Sequence, residues 1–506
     1  MYTTHTFQDW EETSEADRLP LLLDIIRNYK ASAEFQHALK AEKYFRAENE
    51  AVGRKKLLKP QKFVTETVEQ TSAGERKRTR NGVRSVEIDG NRVYSRFFYR
   101  VVTQENQHLL GSGVTLGDVG DISGEAVKSM LGVGFDTALQ KIGEKALIDG
   151  VCWGYWNLDH LEVIEAVRDE SSGFVALLDE VTSAPKLGVQ FWRLAANRPL
   201  YVRLFDEDGV TVYRTNDGGE LEEYEPYRPY VLHVARDTLG EQVISTSNYG
   251  VLPVIPLYAN PEQRSELDNS LLSKIDAYDR ISSDFVDNLD RANDVYWVLN
   301  NFGGNTAEIC QMIEQIEKLR VVASVSDGVS SSTAQPHTLE VPYAARQTAL
   351  TLLEGAIYKD AMALSLDEVT GGGLTNVAIK AAMTNLNLKC DRYEWQCFAF
   401  VQAVLKLLRI ETESISFVRQ EVVNQSEVVS DIALMRDYID DETALRLNPY
   451  IPREEIDVIL ERLAQQRYTG TPYRVPDLNE TSEEGTNDGS ADEDLYADRE
   501  GDAGEY

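Results

Sequence analysis

Asp284, Asp287, Asp290 and Asp294 stand three or four residues apart, and clustered carboxylates are what a divalent-metal nuclease site requires. Their regular spacing argues instead for one solvated face of a helix. Gly371, Gly372 and Gly373 form a second candidate, because glycine-rich loops can cradle phosphates. Such a cradle needs GxxxxGK[ST], or GxGxxG between a strand and a helix, and neither pattern is present. Three glycines between two helical stretches point to a hinge, since glycine accepts positive φ. The basic clusters GRKKLLKP and GERKRTRNGVR, within residues 52–86, are the third candidate. They read as an arm contacting DNA or as a solvated loop, and the lack of interleaved aromatics between Gly74 and Arg84 favours the loop.

Enzyme signatures are missing from the sequence. No GxSxG, HExxH, Walker A or EF-hand pattern occurs, and the six histidines are scattered. The four cysteines, at 152, 310, 390 and 397, show no pairing pattern and read as reduced, packed thiols. The expectation is a chain that is not an enzyme and takes no cofactor or metal. A net charge of −33 rules out a broad basic surface for gripping nucleic acid, though not a duct through which DNA slides. No apolar run approaches the eighteen or so residues of a membrane span, and the polar, acidic start lacks signal-peptide features. The protein reads as cytosolic when made, with no membrane partner.

The longest element is expected over residues 267–297. Leu271, Ile275, Tyr278, Phe285, Leu289, Ala292 and Tyr296 line one side of a helix at three- and four-residue steps. Asp276, Asp279, Asp287, Asp290 and Asp294 line an adjoining side, expected to be a solvated row of negative charge. About thirty residues at ~1.5 Å each give a rod of roughly 45 Å. A second amphipathic helix is expected over 342–365, then the loop LDEVTGGGLTN (366–376), then a long helix over 377–409. Between the first two lies an insertion, 298–340: strand YWVLNN, a helix near 305–318, strand LRVVASV and the Ser-rich loop DGVSSSTAQP.

Upstream, residues 1–20 read as a poorly ordered acidic lead-in and 21–49 as helical. Residues 94–113 read as a buried helix ending at glycine, and 124–148 as one more helix. From 149 to 245 short alternating runs, separated by the turns DEDG and NDGG, predict a mainly β module. Downstream come a short strand, ISFV (415–418), and two helices near 427–438 and 453–467. An acidic low-complexity tail from Asn479 is too polar to bury a core.

The order of these pieces resembles the portal proteins of tailed bacteriophages, in the family of the Bacillus phage SPP1 portal, from about residue 25 to 465. The resemblance is carried by the strand GVLPVIPL (Gly250–Leu257), the DAYD helix (Asp276–Asp279), the insertion, and the Gly-Gly-Gly loop before a long helix. YKASAEFQHALKAEKYFRAEN, ISFVRQEVVNQSEVVSDI and DDETALRLNPYIPREEID add to it. It implies an α+β, multidomain architecture assembling as a ring, twelve subunits by family pattern. The implied parts are a wing (21–266), stem helices (267–297 and 341–365), a clip (298–340), a tunnel loop (366–376), a long wing helix (377–410), a crown (411–475) and an acidic tail (476–506). It further implies a channel at one capsid vertex through which a terminase motor packages double-stranded DNA. Thr370, Gly371, Gly372, Gly373, Leu374, Thr375 and Asn376 would face that DNA. Lys380 and Lys389 would be candidate phosphate contacts, or else merely solvated helix cations. Leu271, Ile275, Tyr278, Phe285 and Leu289 would pack the stem, and the aspartate row would look toward the lumen. Implied partners are the terminase large subunit, the major capsid and scaffolding proteins and a head-completion adaptor. The implied location is the virion, after assembly in the host cytoplasm. The alternatives are an acidic metal-dependent nucleic-acid enzyme and a capsid scaffold protein that never touches DNA.

Overall fold

A computed structural model describes residues 3–52, 56–71, 74–237, 240–292, 296–300, 333–337, 343–365, 376–412, 414–419, 425–435, 438–452 and 455–469. The chain divides into two compact units, 1–422 and 423–506. Helices and antiparallel sheets are mixed throughout the first, as an α+β class requires.

The acidic lead-in is not a loose end. Thr6 and Asp9 form a capping box for α1 (Phe7–Glu12), Trp10 is buried, and Gln8 donates to Asp179 at 2.9 Å. One aromatic anchor with its cap is enough to fix what composition alone made look mobile. In α2 (Arg18–Ala31) Leu22, Ile25, Ile26 and Tyr29 bury one stripe. Ser32 ends that helix and starts α3 (Ala33–Phe45), its Oγ donating to Tyr29 O and accepting from Phe35 N.

The basic stretch expected as a loop is a long ribbon: β1 (Lys56–Thr71) pairs antiparallel with β2 (Gly74–Asp89) in unbroken register. The density of β-branched residues in KFVTETV supports strand pairing, a signal that the count of charges obscured. The expected buried helix is α4 (Phe97–Leu110), followed by β3 (Val114–Leu116). The single helix expected over 124–148 is two, α5 (Gly124–Met130) and α6 (Phe135–Asp149). Gly132, at φ +81°, breaks the run between them, a left-handed conformation that glycine adopts without a Cβ clash.

The β module matches its alternation. β4 (Val151–Asn157) lies between β5 (His160–Glu165) and β14 (Val254–Tyr258) in a three-stranded antiparallel sheet. A six-stranded antiparallel meander follows in chain order: β6 (Val167–Asp169), β7 (Ser172–Leu178), β8 (Pro185–Trp192), β9 (Tyr201–Phe205), β10 (Gly209–Thr215) and β11 (Leu221–Pro229). β12 (Val231–Asp237) and β13 (Gly240–Ser247) make a separate hairpin. DEDG and NDGG are turns, closed by Asp206 N to Gly209 O at 3.1 Å and Gly219 N to Asn216 O at 3.0 Å.

Next come α7 (Asn269–Ala292), β15 (Tyr296–Asn300), β16 (Thr333–His337), α8 (Tyr343–Asp360) and α9 (Asn376–Leu407). α7 is shorter than the expected 267–297, and Tyr296 belongs to β15, not to the helical stripe. The run YWVLN is aromatic and β-branched, so strand pairing with β16 overrides a continued helix. β16 itself, TAQPH, takes up part of what was expected as a Ser-rich loop. The expected helix 305–318 and strand LRVVASV lie outside the described residues.

β17 (Ile415–Phe417) pairs with β3, so this strand, assigned by resemblance to the crown, is built into the first unit. The second unit contains α10 (Gln425–Leu434), α11 (Asp441–Leu447) and α12 (Ile456–Thr469). α11 lies within the stretch expected as a connection. The acidic tail from Asn479 lies outside the described residues.

Two apolar clusters organise the first unit. One joins α2, α3 and the six-stranded meander; Tyr29 reaches through it to donate to Ala166 O at 3.0 Å. The other gathers α4, α6, the start of α7 and the C-terminal half of α9. There α9 lies so close on β4 that a Cβ at Gly154 would stand 2.6 Å from Phe400 Cζ, which explains glycine within WGYW. Trp395 is 71% exposed, because α9 buries Tyr393, Cys397 and Phe400 on the side away from it.

Candidate functional site

α7 and α8 run antiparallel as a pair. Lys274 and Ser270, near the start of α7, hold Asp360 at the end of α8. At the other end Phe285 packs edge-on against Tyr343 with ring centroids 5.8 Å apart, and Arg346 donates to Asp284 O at 3.1 Å. Of the expected packing residues, Leu271 and Ile275 are buried in the core, and Tyr278 packs edge-on against Phe97 at 4.9 Å. Phe285 is half-buried and Leu289 is exposed. The stripe therefore anchors α7 at its start and leaves the far end less covered.

The aspartate row is not a solvated face. Asp279 and Asp287 are 0% and 3% exposed. Tyr44 OH donates to Asp276, and the Asn49 amide donates to Asp279. The irregular segment 91–95 is sewn along the helix by its backbone. Asn91 N donates to Asp287 at 2.7 Å, Val93 N to Ser283 Oγ at 3.0 Å, and Ser95 N to Asp279 at 3.0 Å. Two residues of extended chain advance ~6.6 Å while four helical residues rise ~6 Å, so alternate amides meet acceptors one helical turn apart. A segment outside any sheet thereby finds acceptors for alternate backbone donors. Burial pushes the Asp279 carboxyl upward, against the downward pull of its Asn49 and Ser95 donors. Only the backbone of Asp290 is described, and Asp294 lies outside the described residues.

Asp279→Ala is expected to cost about 2–3 kcal/mol, because it strands the Ser95 N–H and the Asn49 amide in a buried place. Asp279→Asn, which keeps an acceptor, should lose less than half of that. Urea midpoints at fixed protein concentration check both.

Lys389 is also not a free cation. Its Nζ lies 2.7 Å from Glu105 and 2.9 Å from Glu266, with 13% of the side chain exposed. Burial pulls the ammonium down, but the two carboxylates push it above its ordinary range. The Glu105 carboxyl is raised to about 7, because burial pushes it up and Glu266 adds to that while Lys389 only partly pulls it back. The knot ties α9 to α4 and to the segment entering α7, and it removes Lys389 as a phosphate contact. Lys380, on the first turn of α9, is exposed as expected. Of the glycine loop, Asn376 is the first residue of α9; Thr370, Gly371, Gly372, Gly373, Leu374 and Thr375 lie outside the described residues.

Sequence reading missed Asn49, Asn91, Ser95, Glu105 and Glu266. One signal was available: Ser282–Ser283 between the aspartates is an odd choice for a solvated acidic face, since serine favours local hydrogen bonding. Among the described residues, no helix is long and apolar enough to cross a membrane.

The family model for the phage portal protein, SPP1 Gp6-like, matches residues 27–467. The chain is similar to the portal protein of Bacillus phage SPP1, 24% identical over 404 residues, covering 74% of this chain and 76% of that protein. It is also similar to the portal protein of Clostridium phage phiCD119, 22% identical over 312 residues, covering 60% and 68%.

Proposed function

The chain belongs to the SPP1 Gp6-like family of phage portal proteins, and on that footing we propose that about a dozen copies close into a ring whose channel passes double-stranded DNA. Membership itself implies a structural part in the virion capsid and an oligomeric ring. The finer assignment is ours: α7 and α8 form the stem, 298–340 the clip, 366–376 the tunnel loop, 21–266 the wing, and the part of 411–475 that follows β17 the crown. The terminase motor, major capsid protein, scaffolding protein and head-completion adaptor are the partners this placement requires.

The observation that carries the ring is the uncovered apolar surface of the helix pair. Leu289 on α7 and Tyr343 and Leu352 on α8 are 36%, 48% and 69% exposed. A two-helix rod leaving three large apolar side chains partly exposed gains from a neighbour, and copies of itself side by side supply one. Asp276, Asp279 and Asp287 no longer support a negative lumen lining, since each is engaged within the subunit. What still favours sliding over gripping is the net charge of −33, which repels a duplex across a hydrated gap.

Native mass spectrometry and electron microscopy of the purified chain test this reading. Annular particles of about twelve copies are expected. A chain that stays single at every concentration overturns it.

A further inference from the structure

The β1–β2 ribbon has no role in the reading above. It is a two-stranded sheet of its own, paired from Lys56↔Asp89 to Thr71↔Gly74. A lone two-stranded ribbon is marginally stable in water and gains from a surface to lie on. Strand residues alternate faces with period two, so Arg76, Arg78, Arg80 and Arg84 share one face of the ribbon. Their cross-strand partners are Glu69, Thr67, Thr65 and Gln61, one carboxylate for four guanidinium groups. Successive arginines two residues apart stand ~6.6 Å apart along the strand, inside the ~8 Å screening length of physiological salt. Like charges at that spacing repel, and a surface of carboxylates offsets them.

We propose that this ribbon is an arm that docks its arginine-bearing face on the acidic surface of a second copy of the chain. The proposal rests on the ring reading, which puts copies side by side. Residues 56–89 hold eight Lys and Arg against five Asp and Glu, while the whole chain carries −33. Among the described residues the ribbon's backbone packs along no other helix or strand of its own chain, so a neighbouring copy is the reservoir of carboxylates left to it, and arginine forks suit carboxylates well. A duplex is the weaker occupant, because the acidic excess of the surrounding chains repels it.

The experiment uses the full chain with Arg76, Arg78, Arg80 and Arg84 replaced together by Gln, and in parallel by Lys. Wild-type rings should loosen as salt rises. The Gln variant should dissociate at subunit concentrations roughly tenfold higher than wild type, with unchanged circular dichroism, and the Lys variant should recover most of the loss. Carbodiimide treatment of mixed light- and heavy-isotope chains should join Lys59, on the same ribbon face, to an Asp or Glu of another copy. Three results overturn the arm: rings of the Gln variant as stable as wild type, Lys59 links found only within one chain, or intact rings that lose retention of added DNA, which would assign the row to the duplex. A wild-type chain that never forms rings overturns the ring reading and the arm with it, whereas equally stable variant rings overturn the arm alone.

Discussion

Replacing Lys389 by Met is expected to cost about 3–5 kcal/mol of stability. The magnitude comes from what is left behind. Glu105 has 2% of its side chain exposed and Glu266 has 17%, and with the ammonium gone two carboxylates face each other in a low-dielectric site. Glu105 is already raised to about 7 with Lys389 in place; removing the cation raises it further, so near neutral pH it must take up a proton or drag in water. Adding Glu105→Leu to Lys389→Met should return at least half of the loss, because an apolar pair of similar volume needs no counter-ion. A double-mutant cycle from urea midpoints, at one fixed protein concentration because assembly contributes to stability, measures the coupling. Losses that simply add would show that the knot is not a unit.

Much of the architecture was legible because hydrophobic period reports burial directly. Leu22, Ile25, Ile26 and Tyr29 gave a helix, and the runs from β4 to β11 gave a meander with DEDG and NDGG as its turns. The aspartates show where this kind of reading stops. Period places Asp276, Asp279 and Asp287 on one face, but whether water or amides meet that face depends on segment 91–95, nearly two hundred residues earlier in the chain. Lys389 fails for the same reason: its two carboxylates come from α4 and from the turn before α7, and nothing local in KCDRYEW announces them. The ribbon was missed differently, since a high density of charge hid the β-branched residues among it. Polar residues can lie on either side of a fold boundary, and only tertiary partners decide which.

Shortening the loop by deleting Gly371–Gly373 is expected to leave ring formation and capsid assembly intact while packaged DNA falls to background. The two halves of this prediction rest on different parts of the chain. Assembly is assigned to the α7–α8 pair and the wing, where Leu271, Ile275 and the residues of α4 and α6 share one core. Packaging is assigned to contacts that must reach a moving duplex and then let it go. The first turns of α9 are poorly suited to that task. α9 is fixed by Lys389 to two other elements, so its N-terminal end at Asn376 has little freedom of its own. The proposed tunnel loop precedes it in the sequence, and glycine, present there three times in succession, is the residue whose φ is least restricted. Lys380→Gln supplies the contrast: an exposed cation one turn into a rigid helix should change packaging by much less than the deletion. Capsids carrying the three-residue deletion are to be counted by electron microscopy and their nuclease-protected DNA measured. Normal filling would remove the loop from the mechanism, and missing portal rings would move its role from translocation to assembly.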